Sequence, residues 1–116
     1  MHELAIVDAI IEQVKAELAR AGACGRVTRI DLAIGRLSGV CPDAVRFGFE
    51  VLARDTDLDS AEIVIREPKA SCRCSACRAT TELDQLDGRC PLCASPEILI
   101  EGGRELTLES IELAEI

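Results

Sequence analysis

A chain of 116 residues has room for one compact body, or for a small domain with a metal-stabilised appendage. It is 48% hydrophobic but only 2% aromatic, with no Trp or Tyr, so its core must be aliphatic. The formal charge of −8 leaves too few cations to neutralise phosphates and too few aromatics to stack on bases, which argues against nucleic acid and against an anionic membrane surface.

The chain opens on Met1-His2-Glu3, which holds its only histidine. A lone histidine is most often an ordinary surface residue. Here it stands beside a terminal amine and deprotonatable backbone amides, and such nitrogens can close chelate rings around a tetragonal metal. Ni²⁺ and Cu²⁺ favour that planar, nitrogen-rich geometry and Zn²⁺ does not. Glu3 can add an oxygen ligand, or serve as a base for amide deprotonation, or simply be a favourable charge at a helix start.

Residues 4–21 carry Leu4, Val7, Ile10, Ile11, Val14 and Leu18 on one stripe at the 3.6 period, which predicts a helix stopped by Ala21-Gly22. Ile30, Leu32 and Ile34 alternate with Arg29, Asp31 and Ala33, so 27–34 reads as a half-buried strand. After a loop at 35–39, Pro42 starts a second helix with Val45, Phe49 and Leu52 on one face and Phe47 and Val51 beside it. Residues 61–67 read as a second strand, 98–100 as a short one and 106–113 as a last one. No apolar run approaches a membrane span. Glu3 and Asp8 occupy the place where a signal peptide would be basic and then apolar, so the expected location is the reducing cytoplasm.

Between Pro68 and Gly103 the pattern changes. Two CxxC pairs, Cys74/Cys77 and Cys90/Cys93, stand twelve residues apart. Each pair can bend into a turn that aims both sulfurs at one point, and two such turns make a tetrahedral S4 cage suited to Zn²⁺. Residues 72–103 include few large apolar side chains, so metal binding would supply the free energy for folding. Four thiolates leave no open coordination position, which makes the expected zinc structural. Disulfides would need export, a dithiol redox site would leave one pair unexplained, and a rubredoxin-like iron site shares the same geometry. Cys72 can replace Cys74 in a longer knuckle or be a spare thiol. Cys24 and Cys41 read as small semi-buried side chains. Cys41 and Asp43 can complete a terminal metal site if their loop packs near the N-terminus.

The strands on either side of the cysteine segment both need a partner sheet, so the expected fold is α+β. It consists of a three-stranded sheet with two helices on one face, plus an inserted zinc-ribbon-like domain. The expected boundaries are 1–67 with 104–116 for the first domain and 68–103 for the insertion. No nucleophile with a base and no phosphate-binding loop is visible, so the chain is not expected to be an enzyme.

Met1-His2-Glu3-Leu4, the loop Gly35-Arg36-Leu37-Ser38-Gly39-Val40-Cys41-Pro42-Asp43, the run Phe47-Gly48-Phe49-Glu50, the two CxxC pairs and the closing Ser110-Ile111-Glu112-Leu113 together resemble the HypA/HybF family of hydrogenase maturation factors. The resemblance runs from end to end. It implies a nickel metallochaperone with Ni(II) as cargo at His2, shared with backbone nitrogens of His2 and Glu3, and structural Zn(II) at Cys74, Cys77, Cys90 and Cys93. It implies as partners a nickel-loading GTPase and the hydrogenase large subunit as client, with urease maturation proteins in some members. A monomer or weak homodimer is expected. Two other classes fit the cysteines without the N-terminus: a zinc-ribbon docking adaptor with no nickel site, and a rubredoxin-like electron carrier.

Overall fold

The apolar stripe at the start of the chain becomes helix α1, Glu3–Arg20, which buries Val7, Ile10, Ile11 and Val14. The structure is a computed structural model that describes residues 3–114. Glu3 in the first turn and Arg20 in the last complement the helix dipole. The helix ends in a Schellman motif: the N–H of Ala23 donates to the Leu18 carbonyl and that of Gly22 to Ala19, with Gly22 at φ +65°. Only a residue without a Cβ takes that conformation freely.

Helix α2 spans Pro42–Leu52, with Cys41 as its N-cap and Pro42 in the first turn, where a missing N–H costs nothing. It buries Val45, Gly48 and Phe49. Gly48 sets the approach of the two helices, because a Cβ there would lie 2.8 Å from Cγ2 of Val7.

Strands β1 (Val27–Ile34), β2 (Glu62–Arg66) and, at the end of the chain, β6 (Leu106–Leu113) form one sheet in the order β2-β1-β6. The central strand buries Val27, Ile30, Leu32, Ala33 and Ile34, as a strand flanked on both sides should. It is tied to β6 by the Ala114 N–H on the Arg26 carbonyl and by the Thr28 hydroxyl on that of Glu112. Asp31 accepts from the Ser110 hydroxyl and from Arg29, and these two bonds, that of Ser110 first, hold its carboxyl below the usual range.

A second sheet lies within the cysteine segment. Strands β3 (Ala70–Cys74), β4 (Thr80–Leu83) and β5 (Ile98–Glu101) pair antiparallel in the order β4-β3-β5, with Cys72 opposite Thr81 on one side and Ile100 on the other. Of these three strands the sequence pattern indicated only β5. The inward positions of β3 are Ala70, Cys72 and Cys74, small residues that do not read as a strand until cysteine is counted as a hydrophobe.

The chain divides into two compact units: residues 1–32, 40–65 and 108–116 form one, and residues 33–39 and 66–107 the other. The second unit takes in a loop from far upstream. Leu37 packs on its small core of Ala70, Cys72 and Leu83, with Ile98 and Ile100. Main-chain bonds from Gly35 to Glu105 (2.8 Å), Arg36 to Pro68 (2.9 Å) and Leu37 to Gly103 (2.6 Å) fix that loop. A Cβ on Gly35 would collide with the Gly103 carbonyl, so no other residue fits there without backbone movement.

Candidate metal centre

The four cysteines of the two CxxC pairs meet. The Sγ atoms of Cys74, Cys77, Cys90 and Cys93 all lie within 4.8 Å of one another, and among the described residues this is the group of metal-ligating side chains that converges. The Cys74 and Cys93 sulfurs are 3.6 Å apart and those of Cys77 and Cys90 3.7 Å. Thiolates at about 2.3 Å from a tetrahedral Zn²⁺ stand about 3.8 Å from each other, so the donor set fits that ion. All seven cysteines are free thiols.

The two turns repeat one backbone design. The N–H of Cys74 donates to the carbonyl five residues on, at Ala79 (3.0 Å), and that of Cys90 does the same to Ser95 (2.8 Å). The residue after each pair, Arg78 or Ala94, holds a left-handed conformation at φ +64° and +63°. In each turn a main-chain N–H points at the first sulfur, from Cys77 to Cys74 and from Leu92 to Cys90, both at 3.4 Å. Left-handed backbone costs a non-glycine residue about 1 kcal/mol, and it is used twice to aim sulfurs. The sequence alone shows the spacing of this repeat but not its backbone.

Four sulfurs this close cannot all ionise unaided. The Cys77 N–H, opposed by burial, lowers the Cys74 thiol to about 7. Cys90 is lowered by the N–H groups of Cys93 and Leu92. The N–H of Ala79 pulls Cys77 down, but burial and the Cys74 and Cys90 sulfurs leave it raised. The Ser95 N–H likewise favours ionised Cys93, yet burial and the three neighbouring sulfurs push it up to about 12. A dication at the centre removes this conflict, because each thiolate then faces a positive charge.

Cys72 stays out of the cluster. It shares the inward face of β3 with Cys74 but sits two residues earlier, 1% exposed, in the apolar core with Ala70 and Leu83. Bringing it to the cage would require a two-residue slip of β3 against both neighbours. Cys24 and Cys41, read from the sequence as semi-buried, are both exposed.

His2 lies outside the described residues. Glu3 begins α1, and its carboxylate Oε2 accepts the main-chain N–H of Cys41 at 3.3 Å. The loop before α2 therefore does pack against residue 3, although Asp43 itself is exposed and paired with Arg46 at 3.5 Å.

Two helices and a three-stranded sheet, together with a four-cysteine ribbon built on a second sheet, define a small α+β metal-binding protein. A family profile described as hydrogenase/urease nickel incorporation, metallochaperone, hypA matches residues 1–113. Among similar proteins, the hydrogenase maturation factor HypA of Chlorobaculum parvum is 42% identical over 113 residues, covering 97% of this chain and 99% of that one. The HypA of Desulfatibacillum aliphaticivorans is 37% identical over 115 residues, covering 99% of this chain and 88% of that one. The solution structure of the Ni metallochaperone HypA from Helicobacter pylori superposes with a TM-score of 0.66 at 26% identity, covering 99% of this chain and 100% of that one. The chain belongs to the HypA family of hydrogenase/urease nickel-incorporation metallochaperones, which are maturation factors and not enzymes.

Proposed function

We propose that this protein binds Ni(II) at its N-terminus and assists its insertion into the hydrogenase large subunit. The whole-chain family match carries this reading, since it begins at Met1 and takes in the only histidine. His2 supplies the imidazole, and the backbone nitrogens of His2 and Glu3 complete a nitrogen-rich set of the kind nickel favours. The bond from Cys41 to the Glu3 carboxylate supports it, because it ties the base of that segment to the start of α2. Cys41 is then the side chain best placed to add a further ligand. A site of one imidazole and backbone nitrogens holds nickel less tightly than a thiolate cage would, as delivery requires.

Zn(II) occupies the cage of Cys74, Cys77, Cys90 and Cys93 in this reading and is structural. Nickel handling falls to residues 1–67 with 104–116, and the zinc site to the insertion 68–103. The partners are a nickel-loading GTPase and the large subunit, met in the cytoplasm. Among the described residues no helix is long and apolar enough to cross a membrane.

The test is complementation. Cells lacking the protein should accumulate nickel-free large subunit, the wild type should restore its nickel, and His2→Ala should not. Restoration by His2→Ala would overturn the nickel assignment. Elemental analysis and a visible spectrum of the purified protein settle the cage: colourless protein with zinc is expected, and red protein with iron would make it an electron carrier.

A further inference from the structure

The chain has two phenylalanines, and it places one of them in water. On α2, Phe49 is 4% exposed while Phe47, two residues earlier, is 61% exposed. Val51 lies one turn beyond Phe47 on the same side of the helix and is 41% exposed. Leu4 at the start of α1 is 53% exposed. Gly48 brings the two helices together at this point, since its Cβ position is 3.4 Å from Cδ2 of Leu4. Leu4, Phe47 and Val51 are thus exposed apolar side chains beside this helix contact, in a chain with little aromatic content to spare.

The charge around these side chains says what covers them. The unit of residues 1–32, 40–65 and 108–116 holds six of the Lys and Arg residues and fourteen of the Asp and Glu, whereas the cysteine-bearing unit holds seven of each. The entire net charge of −8 therefore sits on the unit that carries these side chains. Asp8 stands one turn along α1 from Leu4, and Glu50 flanks Phe47 on α2. The one cation of α2, Arg46, is engaged by Asp43. A second copy of the chain would bring like charge against like charge.

We propose that Leu4, Phe47 and Val51 are the docking surface for a partner protein whose apolar contact is ringed by Lys and Arg. This rests on the reading above that the protein hands metal to a partner. It adds the place, because Leu4 directly follows Glu3, so the docked partner lies beside the terminal metal ligands. Aromatic anchors dominate such contacts, and opposite charge at the rim steers the approach.

The experiment titrates the purified nickel-loading GTPase, and separately the large-subunit precursor, with wild type, Phe47→Ser, Val51→Ser and Leu99→Ser. Leu99, exposed on β5 of the other unit, is the control. Phe47→Ser is expected to weaken one of the two partners about thirtyfold, Val51→Ser to weaken it less, and Leu99→Ser to leave it unchanged. Wild-type affinity is expected to fall as salt is raised, and zinc and nickel content to stay the same in all four proteins. Val51→Ser decides the matter if Phe47→Ser does not fold. Equal binding by wild type and the two α2 variants overturns the surface, as does loss of binding in Leu99→Ser alone. Absence of wild-type binding to both partners overturns the partner reading and the surface with it. A wild-type dimer that Phe47→Ser dissociates would assign the surface to a second copy and overturn the basic-rimmed partner.

Discussion

The helix-bearing unit buries Val7, Ile10, Ile11, Val14, Ile30, Leu32 and Phe49, whereas the cysteine-bearing unit centres on Ala70, Cys72 and Leu83 with Leu37, Ile98 and Ile100 half-buried. The first has an aliphatic core of ordinary kind. The second has a core too small for its length and instead converges four sulfurs on one point. The charge divides the same way: one unit is strongly acidic and the other neutral. On the function proposed above, a thiolate cage in the weaker unit would do the work of a core, and a nitrogen-rich segment on the stronger unit would be free to give its cargo up.

The largest effect expected is that of Cys74→Ala. It should abolish zinc binding and unfold residues 66–107, because structural zinc contributes on the order of 10 kcal/mol to such a unit. The protected amides of α1 and nickel binding should survive. Hydrogen exchange with metal analysis checks this, and proportional loss of both metals would show one coupled site instead.

Zinc uptake itself sharpens the comparison. At pH 7 the metal-free site keeps the protons of Cys77 and Cys93, whose thiols are raised, and about half that of Cys74 at about 7. All four must be thiolates in the zinc form, so uptake should release more than two protons. Affinity should therefore fall as pH falls, and most steeply below 7, where Cys74 is protonated too. Calorimetry in buffers of different ionisation enthalpy gives the count, and release of fewer than one proton would mean the cage is ionised beforehand.

Two glycines test packing in each unit separately. Gly35→Ala should destabilise the cysteine-bearing unit by about 3 kcal/mol, since the clash is with backbone at Gly103. Gly48→Ala meets the stiff, fully buried side chain of Val7 but gains helix propensity, so a smaller net loss of about 2 kcal/mol is expected in the helix-bearing unit. Denaturant unfolding followed by exchange should place each loss in its own unit. The smallest effect is that of Ala94→Gly, which relieves left-handed strain and should stabilise the zinc form by about 0.5 kcal/mol in thermal unfolding.

Much of this was legible in the chain. The aliphatic stripe of α1, Pro42 at the head of α2 and the alternation in β1 carry their periods plainly, β6 reads as a strand despite a phase shift between Leu108 and Ile111, and the CxxC spacing marks the cage. The cysteine-bearing unit was less legible, because β3 and β4 consist of small or polar residues apart from Leu83, and their pairing depends on long-range contacts that no local pattern records. Leu37 lies in a loop as expected, but its packing was hidden for the same reason, since what half-buries it is a sheet more than thirty residues downstream. Cys72 was ambiguous as a thiol and became a core side chain once its strand was paired. The repeated knuckle was visible as spacing, while the left-handed Arg78 and Ala94 that close it were not, because neither residue type favours that conformation.

The central claim is that one chain keeps two metals in two places, zinc in the thiolate cage and nickel at the N-terminus. Metal analysis of untagged wild type and His2→Ala, with and without added Ni²⁺, tests it most directly. The account expects zinc unchanged in both proteins, and nickel bound by the wild type and lost in His2→Ala. Undiminished nickel in His2→Ala would contradict it.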